Sequence, residues 1–355
     1  MKNDSLSVAT FYKENAQLVE FVHEIEYYDQ HLHKKEVKYP SLMKHLQRQA
    51  NLLTIQALNN LTSIHLIEER IIQLVRNTYS PFHIQERELA GHRDALSYIH
   101  DHHTEYSVYD FRIVYIIQKI INQHLTTDQF NEKPNIFPDN PLLPHSIMQT
   151  SQCLSTEDLQ QLFFEFQSSI EVQKLHPIIA IPLLLHKFFK QIRGHYDALR
   201  IMRLLNIYLL HQFDYRIQCY FSLDRQFNES YSSFHDSFLQ RFNDHDDDAI
   251  LPSHQWIEFY LKTVLTSYKE IKGFINAYKH RSIAEIKMEQ IFTFITSQSE
   301  PFTKQQLLEH HPEAGKQLVE KMLRILRNKG QIRCIGKGKN IKWEWISEKK
   351  NTIMS

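Results

Sequence analysis

Glycine is scarce in this chain: 7 residues in 355, at positions 91, 194, 273, 315, 330, 336 and 338, where average usage would give roughly 25. No G-x-G-x-x-G and no G-x-x-x-x-G-K-[ST] can be written through those positions, which argues against Rossmann dinucleotide binding and P-loop phosphate chemistry. Tight turns and hairpins are what consume glycine. With 11 prolines, 42% hydrophobic and 23% charged residues, the chain therefore reads as long helices with short connections, a mainly α fold. Cysteine is equally sparse. Cys153, Cys219 and Cys334 are odd in number, far apart and without a C-x-x-C pair, which fits reduced thiols in a cytoplasmic protein better than a disulfide framework. The longest strongly apolar run, 178–185, is too short to span a bilayer, and the first ten residues lack the apolar core of a signal peptide. A soluble protein with no membrane partner is expected.

Net charge is also missing, since 41 basic side chains balance 41 acidic ones. The distribution is uneven, however. Between Lys316 and Lys350 stand eleven Lys and Arg against three Glu, a local excess of +8 that the rest of the chain must offset. A basic end on a mildly acidic body implies a separate module with its own partner.

Between Pro40 and Pro81 no Gly or Pro interrupts residues 41–80, and apolar positions recur at helical spacing (Leu58, Leu61, Ile64, then Ile71, Leu74, Val75),. Further helices are expected near 85–103, 107–125, 155–171, 177–192, 197–212, 225–242 and 254–279. The one long irregular segment is 126–150, with prolines at 134, 138, 141 and 144; such a segment is a candidate loop over a site. From about Ser282 the pattern changes. Ile286–Thr296 reads as one helix, Thr303 with Gln306 as a capping box opening a second, and 314–329 as a third with Gly330 at its C-terminal cap. QIRCI, a Gly-Lys-Gly-Lys turn at 336–339 and NIKWEWI then read as a hairpin. Three helices and a hairpin in about 65 residues make a winged helix, a small α+β domain. Such modules place their third helix in the DNA major groove and the wing on phosphates. Lys316, Gln317, Lys321, Arg324, Lys337 and Lys339 are the candidate DNA contacts; the alternative is a protein-binding module with a solvated basic face.

Histidine is abundant, 22 residues, densest at His100, His102 and His103 beside Asp101 and at His310-His311. None of these clusters has the H-x-x-x-H spacing with a Glu of a zinc hydrolase. They are expected to be near-neutral surface residues, and no metal site is expected.

The stretch from His176 to Phe238 resembles the core of the Fic (Fido) family. The family motif I-H-P-F-x-D/E-G-N-G-R-x-x-R-L-L is matched by Ile192-Arg193-Gly194-His195-Tyr196-Asp197-Ala198-Leu199-Arg200-Ile201-Met202-Arg203-Leu204-Leu205, one residue shorter. His176-Pro177 opens the preceding helix, His186 stands six residues before Ile192, and Tyr231 with Phe234 falls where the family has a Tyr-rich helix. Trp256 to Leu261 resembles a later family helix, and Gly91-His92-Arg93-Asp94-Ala95-Leu96 the family's Asn-Tyr-x-x-Ala-Leu segment. The family's inhibitory helix, S/T-x-x-x-E-G/N, is matched by Thr54 and Asn59 with Leu58 in place of its Glu. The resemblance spans most of 50–280, and it implies a helical bundle that transfers AMP from ATP, with magnesium, to a protein hydroxyl. It also implies a division into an N-terminal helical region (1–100), a Fic-like core (101–281), a winged helix (282–347) and a tail (348–355).

Departures from the motif decide the functional expectation. The position of the family's catalytic base holds Arg193, whose guanidinium stays protonated and cannot take a proton. His195 stands where the family has Phe. The Gly-Asn-Gly turn that exposes backbone N–H groups to phosphate has become Ala198-Leu199, and leucine resists left-handed backbone. No catalytic residue is intact among the motif-region candidates Arg193, His195 and Asp197. The resemblance leaves Asp197 as the magnesium carboxylate and Arg200 with Arg203 as the nucleotide-binding arginines. Read from the residues alone, Asp197 is equally an N-cap and the arginines partners of carboxylates. A catalytically impaired regulatory or binding protein is expected, with a protein partner, DNA as a candidate partner and self-association left open. The alternative is an active nucleotidyltransferase using His195 in a rearranged loop. ATP and magnesium are cofactors only in that case.

Overall fold

The computed structural model describes residues 15–61, 66–77, 79–131, 154–193, 195, 197–239, 254–279, 283–296, 298, 300–336 and 341–346. The chain divides into two compact units, Met1–Lys272 and Gly273–Ser355. No helix among the described residues is long and apolar enough to cross a membrane.

The first helix among the described residues of this unit is α1, Ala16–Lys38, which the expected helices do not include. Asn15 caps it by accepting the Leu18 N–H at 3.2 Å, and Leu18, Val22, Ile25 and Leu32 form its buried stripe,. The expected run 41–80 is two helices, α2 (Pro40–Leu61) and α3 (Glu68–Val75). Then follow α4 (Ile84–His102), α5 (Arg112–Asn122), α6 (Thr127–Asn131), α7 (Thr156–Glu171), α8 (Pro177–Ile192) and α9 (Ala198–Gln212). Of the expected irregular segment 126–150, residues 127–131 form α6, and 132–150 lie outside the described residues.

A single helix was expected at 225–242. The chain instead makes α10 (Ile217–Tyr220), α11 (Leu223–Glu229), α12 (Tyr231–Phe234) and a widened turn at His235–Leu239. Serine explains the breaks. The Ser222 hydroxyl accepts the Arg225 N–H at 3.1 Å and starts α11, while Ser230 leaves helical geometry at φ −105°, ψ 32°,. The last long helix, α13 (His254–Lys279), agrees with expectation.

Helix α9 is the axis of this unit. It packs against α4, α5, α8 and α10, and every one of its residues except Leu199 and Gln212 is buried. Helices α4 and α5 pack together so closely that Gly91 has no room for a side chain. A Cβ there would lie 2.2 Å from the carbonyl oxygen of Ile121.

The second unit contains α14 (Ile283–Thr296), β1 (Phe302–Thr303), α15 (Lys304–His310), α16 (Gly315–Asn328), β2 (Ile332–Ile335) and β3 (Lys342–Trp345). The strands form an antiparallel sheet in the order β1-β3-β2, with Trp343 opposite Phe302 on one side and Cys334 on the other. The two-residue β1 was not foreseen in the sequence. Phe302, Val319, Leu323, Leu326 and Ile332 are at the centre of the core, with Trp343 and Trp345 packed against it. The Thr303–Gln306 capping box starts α15,. Gly330 stops α16 at φ 69°: its N–H reaches Arg327 O and the Gln331 N–H reaches Leu326 O, the paired bonds of a Schellman cap,. The unit is thus a small α+β module; residues 337–340, most of the expected Gly-Lys-Gly-Lys turn, lie outside the described residues, as does the tail 348–355.

Candidate functional site

The motif segment joins α8 to α9. Arg193 is exposed at the end of α8, whereas His195, in the bend between the helices, is 5% exposed. The bend is held by the backbone: the His195 N–H donates to Ile192 O at 2.9 Å and its carbonyl accepts from Ala198 N at 3.1 Å. Gly194 and Tyr196 lie outside the described residues.

Asp197 occupies the N-cap position of α9, and its carbonyl accepts the Ile201 N–H at 2.9 Å. Its side chain makes no capping bond. Instead the carboxylate accepts from Arg200 Nη1 at 2.7 Å, while Arg200 Nη2 donates to the carbonyl of Glu88 on α4 at 2.7 Å. One turn on, Arg203 Nη1 donates to Asp224 at the start of α11, at 2.9 Å. The guanidinium of Arg203 also lies 5.7 Å from the ring centre of Phe227 and 5.8 Å from that of Phe234,. Arg200 is 1% exposed and Arg203 2%. These arginines do not pair with surface carboxylates, as the residue-by-residue reading allowed; both are enclosed in the core.

A third group completes the cluster. His92, beside Gly91 on α4, is 0% exposed, and neither ring nitrogen makes a hydrogen bond among the described residues. Arg200 Nε, Arg203 Nε and Arg203 Nη2 are likewise buried without hydrogen-bond partners there. Burial pushes the His92 imidazole well below its usual range, and the two guanidinium charges push it the same way,. For the Arg203–Asp224 pair, burial works against both charged forms, raising the carboxyl and lowering the guanidinium, and their mutual attraction offsets part of this,. A small cavity borders Arg203, framed by Met202, Phe227, Phe234, Trp256 and Tyr260. The Trp256 indole N–H donates to Pro182 O at 3.0 Å and the Tyr260 hydroxyl to Asn206 at 2.7 Å, so both aromatic walls are fixed,.

A neutral buried histidine makes stability depend on pH. The unfolded chain binds a proton at His92 below about pH 6.5 whereas the folded chain does not, so the contribution is complete above that pH and is lost as pH falls. The expected size is about 1.4 kcal/mol for each unit below 6.5. His92→Leu should therefore gain in stability relative to the native chain as pH falls from 7.5 to 5.5 in paired denaturant titrations. A difference between the two proteins that does not change with pH would refute this.

Upstream, Thr54 donates its hydroxyl to Ser222 Oγ at 2.9 Å, and Asn59 Oδ1 accepts the Leu66 N–H at 2.9 Å. Between them Leu58 is buried in an apolar cluster with Ile55, Ile71, Leu74 and Leu89. Two hydrogen-bonded polar residues thus bracket a core leucine. In the second unit, Lys316, Gln317, Lys321 and Arg324 are all exposed on α16, and Glu320 on that helix is held by an ion pair from Lys304. Lys337 and Lys339 lie outside the described residues.

Asp224 and the Glu88 carbonyl were not anticipated from the sequence, since nothing in local spacing ties them to α9. His92 was visible only as part of the Gly91–Leu96 match. The histidine expectation needs correction. His100 is half-buried rather than exposed and turns inward to His211, Nδ1 to Nε2 at 2.8 Å, and His103 stacks on the same ring at 4.8 Å. The end of α4 is a packed helix terminus, so local density of histidine did not mean exposure.

No family model matches the sequence. No curated protein matches it either. Among solved structures, a Fic family protein from Desulfovibrio desulfuricans G20 is similar with a TM-score of 0.54 and 11% sequence identity, over 94% of this chain and 97% of that one. At that identity the likeness speaks for architecture: the chain has a Fic-like helical fold followed by a small α+β module.

Proposed function

We propose that this chain is a catalytically silent Fic-like protein that acts through binding, its former nucleotide site converted into an ionic scaffold. One observation carries the reading: the Asp197–Arg200 and Arg203–Asp224 pairs, at 2.7 and 2.9 Å, use the surviving motif charges inside the core. A carboxylate neutralised by a buried arginine is a poor magnesium ligand, and an arginine turned to a helix carbonyl is not free to grip phosphate. Arg193 at the base position cannot accept a proton. The leucine at the place of the inhibitory Glu supports the same reading, since it packs with apolar neighbours. Incubation of the full chain with labelled ATP and magnesium should leave both it and proteins of a host lysate unlabelled. Labelling that disappears in His195→Ala would overturn the proposal in favour of an active nucleotidyltransferase.

The exposed basic face of α16 favours a second function, DNA binding by a winged-helix module,. Phosphate contacts make binding weaken steeply with salt. The expected result is retention on duplex DNA at low salt, with Lys321→Glu plus Arg324→Glu lowering the logarithmic salt slope by about 2. No retention at low salt would leave protein binding as the module's role.

A further inference from the structure

We propose that His100, His211 and Cys219 bind one zinc-class divalent ion where α4, α9 and α10 meet. One donor atom from each residue lies within 4.8 Å of the others. The residues belong to three different helices, and they converge although 111 positions separate the two histidines. His211 is the hub: one ring nitrogen faces His100 Nδ1 at 2.8 Å and the other faces Cys219 Sγ at 3.9 Å. The two imidazole planes stand at 90° to each other.

The donor set selects the ion. Two imidazoles and a thiolate are borderline-soft, the company kept by zinc rather than by magnesium or calcium, which require oxygen. Tetrahedral zinc, with bonds of roughly 2.0–2.3 Å, would set these donors about 3.3–3.6 Å apart. The facing nitrogens of His100 and His211, 2.8 Å apart, must open by about 0.5 Å, and donor separations of up to 4.8 Å must close by about 1 Å,. Three protein ligands leave the fourth position to water.

A second observation points to a ligand. His100 Nε2 is shielded from solvent and makes no hydrogen bond among the described residues, so the pairing with His211 does not use all that this ring offers. Either nitrogen of His100 can turn toward an ion while the other keeps its proton. Cys219 also needs an account. The residue is half-buried, with its thiol facing the His211 ring. A bound cation is what would bring it to the thiolate. The balance is simple: the divalent ion enters, one sulfur–metal and two nitrogen–metal bonds form, both imidazoles stay neutral, and the thiol proton leaves to solvent.

The probe is cobalt, added to the full-length chain after chelator treatment. One equivalent should bind with thiolate-to-cobalt charge-transfer absorption and a tetrahedral visible spectrum, one proton should be released, and zinc should displace it. The charge-transfer band should be lost in Cys219→Ser and kept in Cys153→Ser with Cys334→Ser. No such band in excess cobalt, or a band that survives Cys219→Ser, overturns the proposal. Should Cys219→Ser fail to fold, X-ray absorption on the zinc-loaded native chain decides. One sulfur and two imidazole nitrogens are expected, and a sulfur-free shell overturns it.

Discussion

Asp224→Ala is expected to destabilise the first unit by about 3–5 kcal/mol, because it leaves the charge of Arg203 buried and unpaired. Arg203 is 2% exposed, its remaining N–H groups have no hydrogen-bond partner among the described residues, and aromatic faces about 6 Å away cannot replace a carboxylate at 2.9 Å. The guanidinium cannot escape by losing its proton. Against a total stability of about 5–15 kcal/mol for a typical domain, such a loss is large enough to unfold a fraction of the chain. The companion experiment separates charge from packing. Asp224→Ala combined with Arg203→Met removes both ions and should recover most of the loss, since a buried pair is often no better than apolar residues of similar volume. Urea titrations of the four proteins of the cycle give the coupling directly. A loss below 1 kcal/mol for Asp224→Ala would mean that water reaches Arg203 through the neighbouring cavity.

Glycine to alanine at position 91 should be nearly as damaging, against the usual sign of that change. In a helix interior the substitution ordinarily gains about 0.5–1 kcal/mol. At Gly91 the new methyl would sit 2.2 Å from Ile121 O, 2.7 Å from its carbonyl carbon and 3.0 Å from its Cα. All three are backbone atoms of α5, so no rotamer change relieves the clash and the two helices must separate. Overpacking of this kind costs roughly 1–3 kcal/mol or more. Gly273, in α13, is the internal control: a Cβ there meets nothing within 4 Å. Gly273→Ala should raise the thermal midpoint while Gly91→Ala lowers it. Equal shifts at the two sites would mean that helix propensity, not the α4–α5 contact, sets the effect.

The helical architecture was largely readable because apolar periodicity is local. Helices α4, α7, α8, α9 and α13 fall within a few residues of expectation, and the capping box at Thr303 and the glycine stop at 330 are where the sequence put them. Helix α1 carried a readable stripe, Leu18, Val22, Ile25 and Leu32, among polar and charged residues. The breaks after Tyr220 came from serine capping, which competes with a helix-period pattern over only one turn. The motif match located Asp197, Arg200 and Arg203, but not what they do. Their partners lie 112 residues back in Glu88 and 21 ahead in Asp224, and only the packing of α4 and α11 on α9 determines those distances. The same holds for His100 and His211, whose pairing no sequence window contains.

The ion pairs of α9 also change what a comparison among relatives can mean. Arg200 and Arg203 now hold a core together, so selection for a folded chain is enough to retain both, with or without a nucleotide. Their persistence in a related sequence is therefore silent about catalysis. Position 193 carries that information instead: Arg193 is exposed at the end of α8, and the residue at this position decides whether a proton acceptor is present,.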